Sequence, residues 1–178
     1  MDRPPEQLTH AAVTLRRWRA DDAELSFRLI RESLDHLAPW MPWATPDYSL
    51  DESLDYVSGC EVSWAEGTAF QYLVLAGGNP AGSAGLMARI GPGGLEIGYW
   101  VHPAFTGRGV ATSAAAALTE AGLALPGIDR IEIVHDARNI ASQRVPEKLG
   151  YAHVENRLDK QVVPVSEPGD TKVWRITR

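Results

Sequence analysis

The chain has 178 residues, 44% hydrophobic and 22% charged, with a formal net charge of −6 at pH 7. That length suits a single domain (1–178) with a sizeable core, and no apolar run approaches the ~20 residues of a membrane span. The acidic balance argues against nucleic acid as a partner, and the opening MDRPPEQLTH lacks the apolar core of a signal peptide, so a cytoplasmic setting is expected.

Residues 13–19 read as a first strand, with Asp21 and Asp22 as a helix cap. Ala23, Phe27, Ile30, Leu34 and Leu37 then recur at helical spacing. Pro39-Trp40-Met41-Pro42-Trp43 breaks that helix. Ser49 and Glu52 form a capping-box signature for a second one, whose apolar side carries Leu50, Leu54, Val57, Cys60 and Trp64. Cys60 is the only cysteine, which excludes an internal disulfide and any multi-cysteine metal site; on that face it reads as buried filler, and no metal is expected. Residues 69–76 and 81–90 are strands about Gly77-Gly78-Asn79-Pro80, and Gly91-Pro92-Gly93-Gly94 turns the chain into a strand at 95–101. A helix at 110–125, a strand at 128–135 and a short helix at 140–149 follow. Strands at 151–157 and 171–176 close the sheet across a loop with Pro164, Pro168 and Gly169. An antiparallel meander feeding strand–helix–strand units is a mixed α/β fold.

The strand at 95–101 runs through His102-Pro103 into Thr106-Gly107-Arg108-Gly109-Val110-Ala111-Thr112 and directly into an alanine-rich helix. Glycines let the backbone turn tightly, so that free N–H groups at the helix start converge on one spot where the helix dipole also favours negative charge. A pyrophosphate fits there, although any strand-to-helix turn is able to use two glycines. A second run stands some thirty residues on: Asn139-Ile140-Ala141-Ser142-Gln143-Arg144-Val145-Pro146-Glu147-Lys148-Leu149-Gly150-Tyr151.

Together these two segments resemble the GNAT N-acetyltransferase superfamily, and within it the Rim-type ribosomal-protein N-terminal acetyltransferases, where an Asn-x-x-Ser-x-Arg-Val-x-Glu-Lys-Leu-Gly-Phe run is typical. The chain departs at Thr106, where Gln or Arg is usual, and at Pro146. The resemblance implies a GNAT-like fold: a central, mostly antiparallel mixed sheet with a splayed strand pair and flanking helices. It also implies acetyl-CoA as co-substrate and direct attack of a primary amine on the thioester. Backbone N–H groups around Tyr99, Trp100 and Val101 would then receive the thioester carbonyl and pantetheine, and Gly107, Arg108, Gly109, Val110, Ala111 and Thr112 the pyrophosphate.

Glu96 stands in a strand otherwise made of Leu, Ile, Gly, Tyr, Trp and Val, where an ionised acid is costly unless paired. It reads as a general base, or as a strand-end acid facing solvent or an arginine. Ser142 matches the serine that reprotonates the CoA sulfur in the Rim-like branch; the alternative is a serine bonding backbone in the first helical turn. Asn139 is expected to hold pantetheine amides, or to cap the helix. Arg108, Arg144 and Lys148 are candidates for CoA phosphates, Arg108 foremost. Pro146 removes one backbone donor and leaves the Ser142 carbonyl without its i+4 partner, so either the helix kinks or that carbonyl serves something else. Tyr151 is expected to pack, and His102 and His135 are assigned no catalytic role.

Between Glu32 and Ala88 there is no Lys or Arg, while Glu32, Asp35, Asp47, Asp51, Glu52, Asp55, Glu61 and Glu66 are acidic. Trp40 and Trp43 lie in this stretch between prolines; with Asp47 they are candidates to hold a cationic acceptor, the alternative being solubilising acids over buried tryptophans. Two acceptor classes stay open: a cationic small-molecule amine such as an aminoglycoside, basic peptide antibiotic or polyamine, which the acidic stretch favours, and a protein N-terminus, which the Rim-like resemblance favours. Succinyl-CoA or another thioester, a homodimer, and a non-catalytic acyl-CoA sensor also remain open. A dinucleotide-binding Rossmann domain lacks its strand–helix–strand setting here.

Overall fold

The computed structural model describes residues 2–158 and 170–178. Its strands are β1 (Gln7–His10), β2 (Val13–Arg17), β3 (Ala69–Ala76), β4 (Asn79–Met87), β5 (Gly94–Val101), β6 (Arg130–Asp136), β7 (Ala152–Leu158) and β8 (Asp170–Thr177). They form one sheet in the order β1-β2-β3-β4-β5-β6-β8-β7. The helices among the described residues are α1 (Ala23–Leu37), α2 (Leu50–Glu66), α3 (Val110–Ala124) and α4 (Ile140–Lys148). The loop with Pro164, Pro168 and Gly169 lies outside the described residues.

Neighbouring strands pair antiparallel except β5 and β6, which α3 connects as a parallel crossover. α1 and α2 cover one face, where Trp18, Leu29, Val57, Cys60 and Leu73 cluster. α3 covers the other, and its buried Ala114, Ala115 and Ala117 let its backbone come close to Leu95, Ile97 and Ile133. Ser49 caps α2 as expected: its hydroxyl accepts from the Glu52 N–H, and the Glu52 carboxylate accepts from the Ser49 N–H at 2.8 Å.

Several sequence expectations shift. β1 had no strand signature of its own, and it is carried by pairing with β2. Asp22 does not cap α1; its carboxylate is taken by the Arg16 guanidinium and the Arg19 N–H, which hold it below the usual carboxylate range despite partial burial. The buried stripe of α1 includes Ser26, Leu29 and Ser33, leaving Phe27 and Leu34 only half-buried. On α2 the buried residues are Ser53, Val57, Cys60 and Trp64, while Leu50 and Leu54 face outward. Short apolar runs fix a period but not a rotation, and the sheet selects the face that packs.

Candidate active site

The turn into α3 is built on left-handed backbone. Gly107 and Gly109 sit at φ 72° and 75°, a region costly for residues with a Cβ. A Cβ at either would meet no protein atom within 4 Å, so space in front of the loop is open. The first intrahelical bond of α3 runs from the Ser113 N–H to the Gly109 carbonyl at 2.9 Å. The N–H groups of Val110, Ala111 and Thr112 therefore have no partner within the helix and crown its positive end. This is a fit for a phosphate group. Thr106, where a longer side chain is usual, turns back: its hydroxyl donates to the Pro103 carbonyl at 2.9 Å. The Arg108 guanidinium lies over the Phe105 ring, 5.8 Å from its centroid. Arg144 and Lys148 are exposed on α4.

Beside this cradle the sheet opens. β5 and β6 stay in register only from Gly94↔Arg130 to Ile97↔Ile133. Beyond Ile97, β5 continues against β4 and β6 against β8, so a wedge separates them. The His102 N–H donates to the Ala81 carbonyl on β4, and antiparallel alternation then turns Trp100 and Gly98 the same way. Tyr99 and Val101 aim their N–H groups into the wedge instead. Trp100 thus drops out as a backbone donor there, because its N–H faces β4; it contributes its ring.

The Tyr99 side chain spans the wedge to α4. Its hydroxyl lies 2.9 Å from the Ser142 hydroxyl and 3.2 Å from the Ser142 carbonyl oxygen. Burial pushes the Tyr99 hydroxyl up to about 12, against the opposing bond to Ser142. Asn139 caps α4, its side-chain oxygen accepting the Ser142 N–H at 3.0 Å. The helix-capping alternative is therefore the one seen for Asn139.

On the opposite face a cavity of about 380 Å³ ends against Gly98, Tyr99 and Trp100. Ile30, Met41, Trp43, Tyr48, Tyr56 and Met87 give it an apolar, largely aromatic wall. Its polar floor is Ser83, whose hydroxyl donates to the Tyr72 carbonyl at 3.2 Å while accepting from the Trp18 indole at 3.0 Å. Ser83 has thereby given its only proton, so the Tyr56 hydroxyl, 3.0 Å away, donates to it. Among the described residues, Glu52 is the single carboxylate in the wall, and no Lys or Arg lines it.

Of the expected acceptor residues, only Trp43 reaches this cavity; it is 39% exposed and packs on Tyr48 with ring centroids 5.9 Å apart. Trp40 is half-buried and Asp47 exposed, and neither lines the wall. The turn that buries Tyr48 sends Asp47 outward. Sequence reasoning missed Tyr48 and Tyr56. Tyr56 stands at i+4 from Glu52 on α2, a helical spacing present in the sequence, whereas Tyr48 lies in the turn before the Ser49 cap.

Glu96 shares the cavity-side face of β5 with Gly98 and Trp100 but does not line the wall. It is buried and ion-paired with Arg89. The one acid of an otherwise apolar strand is thus held by an arginine. His102 accepts the Ala104 N–H on Nδ1 at 3.1 Å and so points its Nε2–H at Glu32, 3.2 Å away. Tyr151 packs in the core, its hydroxyl 2.6 Å from that of Thr119.

A wedge in a mixed sheet, with an anion cradle on one side and an apolar cavity on the other, is the frame of a two-substrate transferase. The family model described as the acetyltransferase (GNAT) domain matches residues 12–152, and the chain belongs to that family. Among solved structures it is similar to RimL, a ribosomal L7/L12 alpha-N-protein acetyltransferase in complex with coenzyme A. The identity is 21% and the TM-score 0.85, over 99% of this chain and 98% of that one. It is also similar to the microcin C7 self-immunity acetyltransferase MccE in complex with acetyl-CoA and AMP (17%, TM-score 0.86, 94% and 93% covered). Mycobacterium smegmatis RimJ in complex with CoA-disulfide is a third (23%, TM-score 0.81, 96% and 85% covered). At these identities the likeness is one of fold. No curated protein matches the chain.

Proposed function

We propose that this acetyltransferase moves an acetyl group from acetyl-CoA to a primary amine carried on an apolar or aromatic body. The observation that carries this is the cavity wall: five aromatic residues and one carboxylate, ending where β5 leaves β6. A single cation on a flat or greasy body suits such a wall, through ring faces and one acid. The polycation favoured by the acidic stretch has less support, because Asp47 is exposed and outside the cavity.

The loop from Gly107 to Thr112 holds the pyrophosphate on backbone N–H groups, with Arg108 and Arg144 available to further phosphates. Tyr99 and Val101 offer N–H groups to the pantetheine arm and thioester carbonyl. When bound, acetyl-CoA supplies an activated acyl carbon and a thiolate leaving group. One N–C bond forms and one C–S bond breaks, while a proton leaves the amine and another reaches sulfur. Ser142, at the start of α4, gives the second. Glu96 takes the first through water, since Met87 across the strand and Gly98 two residues on both border the cavity.

The presence of RimL and RimJ among the structural neighbours supports a second reading, in which the amine is a protein N-terminus whose first side chain fills the cavity. The test is acetyl-CoA turnover with arylalkyl amines, polyamines and N-terminal peptides at matched concentration. Highest kcat/KM for arylalkyl amines bears the proposal out; highest for peptides supports the second reading. No turnover with any of them overturns both.

A further inference from the structure

We propose that Tyr99 is a positioning residue for Ser142, supplying the hydrogen bond that Pro146 takes out of α4. The catalytic half rests on the acetyl-transfer reading above; the structural half does not.

Pro146 lies inside α4 and has no N–H, so the Ser142 carbonyl four residues earlier loses its helical partner. A carbonyl so placed needs another donor. The Tyr99 hydroxyl, from a strand in another layer, stands 3.2 Å from it. The same hydroxyl is 2.9 Å from the Ser142 Oγ. A tyrosine has one proton and the carbonyl can only accept, so when Tyr99 donates to the carbonyl, Ser142 donates its own proton to the Tyr99 oxygen. The Ser142 Oγ is then held at the wedge instead of bonding back into its helix, the usual resting place of a helical serine, and turning its O–H from Tyr99 to sulfur breaks one hydrogen bond without moving the oxygen. With Asn139 on the Ser142 N–H, all three polar groups of Ser142 are fixed.

Tyr99 acts on Ser142 as its orienting partner, through the hydroxyl and the carbonyl together. The departure at Pro146 and the hydroxyl at Tyr99 are thus two halves of one device.

Two cycles test it. In urea unfolding of the full chain, Tyr99→Phe is expected to lower the midpoint clearly in the Pro146 background. It should lower it less beside Pro146→Ala, which restores an N–H to the Ser142 carbonyl. Equal losses in both backgrounds overturn the structural half, whether or not the protein transfers acetyl groups. In steady-state acetylation of 2-phenylethylamine, Tyr99→Phe is expected to lower kcat about 10- to 100-fold with KM for acetyl-CoA within twofold. It should add less than threefold to the loss in Ser142→Ala, and Pro146→Ala should restore part of it. A kcat within threefold of wild type, an undiminished loss beside Ser142→Ala, or no recovery with Pro146→Ala overturns the catalytic half. If wild type transfers to no amine or peptide, the acetyl-transfer reading fails and takes the catalytic half with it, while the unfolding cycle still decides the contact.

Discussion

Replacing Gly109 separates the cradle from the fold that carries it. The residue sits at φ 75°, and its missing Cβ would touch no protein atom within 4 Å, so a side chain there meets backbone strain and open space, with no packing to disrupt. A β-branched residue is the worst tenant of that conformation and asparagine a tolerated one. Gly109→Val should therefore lower stability by about 1–3 kcal/mol, and Gly109→Asn by less. Ligand binding should suffer more. A side chain projecting from the mouth of the loop screens the N–H groups of Val110 and Ala111, and two hydrogen bonds to a charged group at about 1.5–3 kcal/mol each come to about 3–6 kcal/mol. At 1.4 kcal/mol per decade that is a weakening of roughly 10²–10⁴-fold. Calorimetric titration of CoA into each variant, with thermal unfolding beside it, reads both effects. A folded Gly109→Val protein with wild-type CoA affinity would falsify the assignment of the pyrophosphate to this turn.

Ser142→Ala and Glu96→Gln should each lower kcat by ~10²–10⁴-fold with CoA affinity nearly intact; a loss under about tenfold for Glu96→Gln would confine that residue to its pairing with Arg89. Trp43→Ala should raise KM for an arylalkyl amine about tenfold while Asp47→Asn leaves it within twofold, and that KM should change little between low and high salt. A steep salt dependence, or an Asp47 effect as large as that of Trp43, returns the acceptor to the polycation class. Stability should fall on mild acidification because of His135. Burial pushes it below the ordinary histidine value, with Nδ1 2.7 Å from the Asp136 carbonyl and Nε2 accepting the Trp174 indole at 3.0 Å. The unfolded chain then binds the proton more tightly, so this contribution is complete above about pH 6.5 and is lost as pH falls through the folded value, at no more than about 1.4 kcal/mol per pH unit. Unfolding midpoints measured from pH 8 to 5 should decline less in His135→Gln; identical slopes would rule His135 out as the titrating group.

What the sequence determined by itself was local and periodic. The α2 cap needs a serine and a glutamate three residues apart and nothing else, and it forms as written. Gly107 and Gly109 announce a left-handed turn because few other residues enter that conformation at low cost, and helix α3 must then present free N–H groups whatever surrounds it. The doubt about Pro146 was also legible, since a missing N–H leaves an identifiable carbonyl. Its answer was not: Tyr99 and Ser142 are 43 residues apart and meet only because β5 leaves β6 after Ile97. Strand register likewise decided that the Tyr99 and Val101 N–H groups, and not that of Trp100, face the wedge. It also laid Arg89 on Glu96, which the sequence reads as a general base or as a strand-end acid facing solvent or an arginine. In the same way Trp43 and Asp47, four residues apart in one loop, part company: Trp43 packs on Tyr48 at the cavity, while Asp47 is exposed outside it. Composition records charge along the chain; which charges meet a substrate depends on side-chain directions that tertiary packing alone sets.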